Sequence, residues 1–162
     1  GTAGGIRNVS FEDCVVGDDR GSSPWAFTIK SQTNRNATIE QIALRRITLG
    51  RIVPNNWQQP HPEPAIDIGI QYGEPLKALP VLRDVIIEDV RGAGAAIAGR
   101  LAGLPGSPIR NLTIRNVSLG PCNWSWTCSD VVSPSFSDVA PALHCPQSSL
   151  DPDRVVASLH HM

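Results

Sequence analysis

Aromatic residues are scarce in this chain: three Phe, four Trp and one Tyr make up 5% of its 162 residues. Met occurs once, so a packed interior has to be built from aliphatic side chains. The formal net charge is −1, and no block of Lys or Arg occurs. That excludes both the basic field that gathers nucleic acid and the polybasic patch that gathers anionic lipid. No nucleic acid and no membrane is expected as a partner. No apolar run is long enough to span a bilayer. The opening residues GTAGGIRNV have neither the basic start nor the apolar middle of a secretory signal, and no initiator Met precedes them. The chain is accordingly expected to be a piece excised from a longer protein. Its length suits one domain, and an apolar content of 41% is enough for a core.

What is present is a repeat. Residues 107–120, SPIRNLTIRNVSLG, place Ile109, Leu112, Ile114 and Val117 at intervals with Arg and Asn between them, the pattern of a strand with one buried face. The frame recurs at 6–14 (IRNVSFEDC), 39–47 (IEQIALRRI) and 82–90 (LRDVIIEDV). Superposition sets Val9, Ile42, Val85 and Leu112 at one inward position, and Phe11, Leu44, Ile87 and Ile114 at the next. Polar residues recur between them with a period of two, not with helical spacing. The copies are 33, 43 and 27 residues apart, so one strand-built unit recurs with loops of variable length. Strands and turns with no intervening helix point to an all-β parallel β-helix, its four main strands stacked in register as one sheet.

Each coil needs a second strand, and 25–30 (WAFTIK), 65–72 (AIDIGIQY) and 95–103 (AAIAGRLAG) supply candidates. Residues 17–24, GDDRGSSP, form a loop by turn chemistry. Residues 54–64 carry four Pro and read as an excursion that cannot lie inside a sheet, and 72–80 form a further connection. Beyond Gly120 the repeat stops, and a segment rich in Cys and Trp reads as a stapled cap. The expected organisation is coils over 1–120, a cap over 121–147 and a flexible tail over 148–162.

The four Cys form an even set, with Cys14 alone and Cys122, Cys128 and Cys145 clustered. Asn-x-Ser/Thr triplets begin at Asn8, Asn36, Asn111, Asn116 and Asn123, where roughly one is expected by chance. Together these suggest an oxidising, extracellular setting and five candidate glycosylation sites. Asn8 and Asn116 also lie in strand frames, where Asn-Val-Ser is equally a strand signature. A zinc site from Cys122, Cys128, His144 and Cys145 is disfavoured by the awkward chelate of two adjacent residues. No metal and no other cofactor is expected.

Several segments taken in order resemble a known family. GGIRNVSFEDC, FTIKS, YGEPLKALP, AGRLAGLPGSPIRNLTIRNVSL, WTCSDV and Cys145-Pro146 are similar to the C-terminal part of polygalacturonase-type glycoside hydrolases (family 28), particularly their plant-like branch. The likeness covers the chain from Gly4 to about Gln147. It implies a right-handed parallel β-helix whose cleft binds a galacturonan-like acidic polysaccharide and cleaves it with inversion through aspartates from adjacent coils. It also implies a monomer secreted to the cell wall, and a disulfide between Cys128 and Cys145 from the WTC and HCP segments. Of the family's four marks, Asn-x-Asp and Gly-His-Gly have no counterpart here. The Arg-x-Lys mark falls on Thr28-Ile29-Lys30, with Thr in place of Arg. Lys30 is thus a candidate for meeting a substrate carboxylate, and Tyr72 matches a Tyr that lines the cleft.

Gly17-Asp18-Asp19 copies the family's Gly-Asp-Asp but stands eleven positions before Lys30 with no Gly-His-Gly after it. Asp18 and Asp19 are therefore weak catalytic candidates, and an ordinary turn needs the same residues. Inverting hydrolysis requires two carboxylates roughly 6.5–9.5 Å apart, and neighbours on one strand point to opposite faces. Arg45 and Arg46 read as surface charges. The leading expectation is a polygalacturonase-like hydrolase represented by coils that lack the catalytic aspartates, so that the chain alone is inactive. The alternative is a non-catalytic β-helix that binds polysaccharide or protein, favoured by Thr28. A calcium-dependent lyase ranks last, because no suitable acidic cluster is visible.

Overall fold

The computed structural model describes residues 4–17, 26–33, 36–52, 63–72 and 78–146, with Gln71 and Tyr72 described by their backbone alone. Eleven strands follow in chain order: β1 (Gly5–Glu12), β2 (Val15–Val16), β3 (Phe27–Gln32), β4 (Thr38–Leu49), β5 (Pro64–Tyr72), β6 (Val81–Gly92), β7 (Ala95–Ala102), β8 (Ile109–Leu119), β9 (Cys122–Ser129), β10 (Val131–Val132) and β11 (Ser135–Ala140). One sheet runs β1-β4-β6-β8 and closes on β10 and β11, with β2 on β4; the other runs β3-β5-β7-β9. Every strand pair in both sheets is parallel. The chain thus alternates between two sheets once per coil, as a parallel β-helix does. Pro64, read as part of an excursion, instead opens β5, a position where a missing N–H is tolerated. The rest of that excursion, apart from Glu63, lies outside the described residues.

The interior ladder forms as the repeat requires. Val9, Ile42, Val85 and Leu112 are register partners, as are Phe11, Leu44, Ile87 and Ile114. Val85, Ile87, Leu112 and Ile114 have no exposure. Each such side chain contributes roughly 1.5–3 kcal/mol by leaving water. The sequence frame is not plain alternation, however, because inward positions in β6 fall at Leu82, Val85, Ile87 and Val90, in steps of three, two and three. Two residues per coil take left-handed backbone and consume the extra position. Asn8, Gln41, Asp84, Asn111 and Ser133 form one row of bends, at φ between 51° and 57°. Asp13, Arg46, Asp89, Asn116 and Asp138 form the second, at φ between 49° and 56°. Asn and Asp dominate both rows because their short polar side chains tolerate this region best. Asn111 Nδ2 donates to Asp84 Oδ1 at 2.9 Å and Asn116 Nδ2 to Asp89 Oδ1 at 2.6 Å, so two of the Asn-x-Ser/Thr triplets begin at rungs of these corners.

Acids and bases face one another along most of the outside of the first sheet. Arg7, Glu40, Arg83 and Arg110 share one register row, in which only Arg83 and Arg110 are like neighbours; Glu12, Arg45, Glu88 and Arg115 share another. Glu40 receives Arg7 Nε at 2.5 Å and Arg83 Nε at 2.7 Å. Glu88 receives Arg45 Nε on one oxygen and Arg115 Nε on the other, both at 2.5 Å. Arg45 also reaches Glu12, at 3.1 Å, and Arg46 bonds Asp13 and Glu12. Both Arg45 and Arg46 are therefore members of this ionic lattice.

Beyond Gly120 the segment expected as a cap is itself built of strands that extend both sheets. Trp126 lies over Gly99, where a Cβ would come within 2.1 Å of the indole ring. Its Nε1 donates to Pro141 O at 3.1 Å, and Ser125 Oγ donates to Ala142 O at 3.0 Å. Cys128 and Cys145 form a disulfide across a Cα separation of 5.1 Å, the pairing that the family resemblance implied. Cys14 and Cys122 are free thiols, and burial pushes the Cys122 thiol above its ordinary range.

Two outcomes follow from these features. Replacing Cys128 and Cys145 by Ala opens a closure of 17 residues and lowers unfolding free energy by about 3 kcal/mol, measurable by urea titration. The Ser10 hydroxyl, then Arg46 and Arg45, hold the Glu12 carboxyl down from 4.5 to about 2, and Glu88 is lowered too, its bonds to Arg45 and Arg115 outweighing the upward push of burial. A depressed carboxyl stabilises the fold above its unfolded value, and that stability is lost as pH falls through the folded one. The urea midpoint should therefore drop between pH 4.5 and about 2, less steeply in Glu12→Gln.

Candidate functional site

Strand β3 alternates cleanly, with Ile29 and Ser31 buried and Thr28 and Lys30 turned outward. Its register with β5, β7 and β9 carries that outward face across the sheet. Thr28, Asp67, Arg100 and Thr127 occupy one row; Lys30, Gly69, Ala102 and Ser129 occupy the next. Gly69 and Ala102 keep the second row low beside the Lys30 side chain.

Asp67 is the unusual member. It faces the solvent side of the sheet, between inward Ile66 and Ile68, yet has no exposure. Arg100 covers it with a two-pronged contact, Nε to Oδ1 at 2.9 Å and Nη2 to Oδ2 at 2.7 Å. Lys30 Nζ stands 4.0 Å from the same Oδ2. Both cations stay partly open to solvent, at 30% for Lys30 and 35% for Arg100. One carboxylate thus anchors two cations, and the trio carries one net positive charge. With both oxygens accepting from a guanidinium, Asp67 is placed to hold Arg100 and Lys30 in position. Planar Arg presents a fork that suits a carboxylate, and Lys adds a point charge beside it.

The sequence candidates fall differently. Lys30 belongs to this cluster. Tyr72 ends β5 opposite Gln32, after a register shift at Ser31/Gln32, and its side chain lies outside the described residues, as do Asp18 and Asp19. Asn8, Asn36, Asn111, Asn116 and Asn123 are all exposed. Two of the four sulfur and imidazole ligands considered for zinc, Cys128 and Cys145, are joined to each other. Sequence reasoning missed Asp67 and Arg100. Their signal was available: a lone acid within AIDIGI and a lone base within AIAGRLA are costly in buried strands unless paired.

The fold is a parallel β-helix with a cluster of Lys30, Asp67 and Arg100 on the outer face of one sheet. A probable polygalacturonase from Vitis vinifera is 28% identical over 133 residues, which are 80% of this chain and 26% of that protein. The chain spans about a quarter of the length of this curated relative, and the relationship is a distant polygalacturonase-like one. No protein-family model and no solved structure matches the chain.

Asp67→Asn keeps the shape but leaves two cations beside a neutral amide. Because Arg100 can turn to water, the expected loss is about 1–3 kcal/mol, read as a lower urea midpoint at neutral pH.

Proposed function

We propose that this chain is the polysaccharide-binding C-terminal part of a polygalacturonase-type hydrolase, of the plant-like branch of family 28, acting in the extracellular cell wall as a monomer. Its ligand is an acidic, galacturonan-like polymer lying on the outer face of β3-β5-β7-β9. The observation that carries this reading is the convergence of Lys30 and Arg100 on the fully buried Asp67. A uronate carboxylate bridging the exposed sides of the two cations gains charge-assisted contacts, and the small Gly69 and Ala102 leave room for a sugar ring beside them. Tyr72, at the end of β5, is the position that the family resemblance assigns to lining the cleft. Thr28, where the family carries Arg, shifts carboxylate recognition towards Arg100, in the same register row two strands across.

Cleavage is a separate matter. Hydrolysis with inversion needs a proton donor and a base for water, each commonly worth 10²–10⁴-fold. Asp67 is neutralised by its two cations and serves neither role. The chain alone therefore binds without cleaving, and in that respect it behaves like the non-catalytic module that Thr28 favours.

The test measures binding of residues 1–162 to polygalacturonate and to a neutral galactan by calorimetry, with reducing-end release followed in parallel. Lys30→Ala and Arg100→Ala should each weaken polygalacturonate binding by about 10–100-fold, as the loss of one charge-assisted contact predicts. Salt should weaken it further. Equal affinity for the neutral galactan would overturn the binding assignment. Reducing-end release abolished by Asp18→Asn or Asp19→Asn would overturn the absence of chemistry.

A further inference from the structure

A cavity of about 480 Å³ lies on the outside of the first sheet, whereas the cluster of Lys30, Asp67 and Arg100 lies on the second. Its floor is the outward register row of Ser10, Ala43, Ile86 and Thr113. Along one side stand bend residues, Gln41, Asp84 and Asn111 among them, and on the other stands Arg45. The result is a trough that crosses successive coils, of a size within the roughly 300–1,000 Å³ of small-ligand clefts.

Three features decide what fits it. The first is charge. Arg45 already donates to Glu88 at 2.5 Å and to Glu12 at 3.1 Å; Asp84 receives Asn111 at 2.9 Å on one oxygen and has Arg83 at 3.6 Å from the other. An ion entering the trough would have to break pairs already made, so a neutral ligand is favoured. The second feature is the set of polar groups left over. Gln41 and Thr113 make no side-chain hydrogen bond among the described residues, and Asn111 keeps its amide oxygen as an acceptor. Gln41 also holds φ at 57°, a region that Asn and Asp tolerate better. Arg46, equally strained in the second row of bends, uses its side chain on Asp13 and Glu12, but the Gln41 amide has no such use. Strain without an internal partner points to a partner outside.

The third feature is spacing. Equivalent positions recur along the floor once per strand, about every 4.7–4.9 Å, and a pyranose unit advances by roughly one such step. An extended peptide advances about 3.3 Å per residue and turns alternate side chains away, so it falls out of step with the rungs. Ala43 and Ile86 offer a flat apolar strip to the C–H faces of sugar rings, and the amides and hydroxyl beside them offer both donors and acceptors to ring hydroxyls. We propose that this trough binds a neutral, linear β-linked polysaccharide laid across the coils, with Gln41, Asn111 and Thr113 bonding its hydroxyls and Ala43 and Ile86 beneath its rings. The site shares no residue with the uronate-binding cluster.

The test titrates residues 1–162 with cellohexaose and follows the backbone amide resonances of the labelled chain. Shifts are expected at residues 41–45, 84–86 and 111–113, with a Kd of about 1 mM, while residues 28–30, 67 and 100 stay unmoved. Added salt, which screens binding between charges, should leave this affinity unchanged. Thr113→Val removes one hydroxyl and Ala43→Gln fills the floor without adding charge; each should weaken binding several-fold with the rest of the spectrum in place. Gln41→Gly should also weaken binding while keeping the melting point within a few degrees, because Gly accepts left-handed backbone; a merely structural glutamine would not separate the two readouts. Absence of shifts up to about 10 mM sugar, shifts confined to the second sheet, or unchanged affinity in all three variants overturns the proposal. Equal shifts with an extended peptide of similar length would assign the trough to protein, and concentration-dependent shifts at the same amides without sugar would assign it to a second copy; either outcome overturns it too. Polygalacturonate binding, read at Lys30 and Arg100, stands or falls separately.

Discussion

The parallel register of the coils depends on the two left-handed bends in each. A bend costs backbone energy for any residue with a Cβ, and the protein accepts it ten times over in two aligned rows. The return is that five successive turns have the same cross-section. Inward positions then fall over inward positions, and the ladder is built mainly of Val, Leu and Ile, with Phe11 and Phe136 as its aromatic rungs. A coil that lost one bend would flip its following side chains to the wrong face, since the pleat has a period of two. Short polar residues at the corners are therefore as much a part of the core's specification as the aliphatic ladder is.

Electrostatics on the two sheets is organised by the same stacking but to different ends. On the first sheet, Glu40 and Glu88 are each shared by two arginines from the coils on either side. On the second, among the described residues, one buried acid, Asp67, holds two bases. The first sheet spreads its ion pairs along whole rows; the second gathers its charge around one carboxylate.

The sequence displays the repeat openly, because aliphatic ladders leave a pattern that survives loops of different length. It displays the interior register equally well: Val9, Ile42, Val85 and Leu112 are found where superposition sets them. It conceals the bends, since Gln41 and Arg46 are not residue types that announce left-handed backbone and only the stacked Asn and Asp of other coils do. It also conceals the pairing of Asp67 with Arg100, which lie 33 residues apart and meet only because β5 and β7 are adjacent strands. Lys30 was visible through the resemblance; the carboxylate that holds it was not, because no local motif links residues on neighbouring coils.

The stapled C-terminal end has a consequence for how such a chain acquires its structure. A solenoid behaves as a one-dimensional lattice in which each unit is stabilised by its neighbours and order spreads along the row. With a covalent closure and a packed Trp holding the coil of β8 to β11, order has a preferred place to begin. That coil is the natural seed, and order spreads from it to the coils stacked on it.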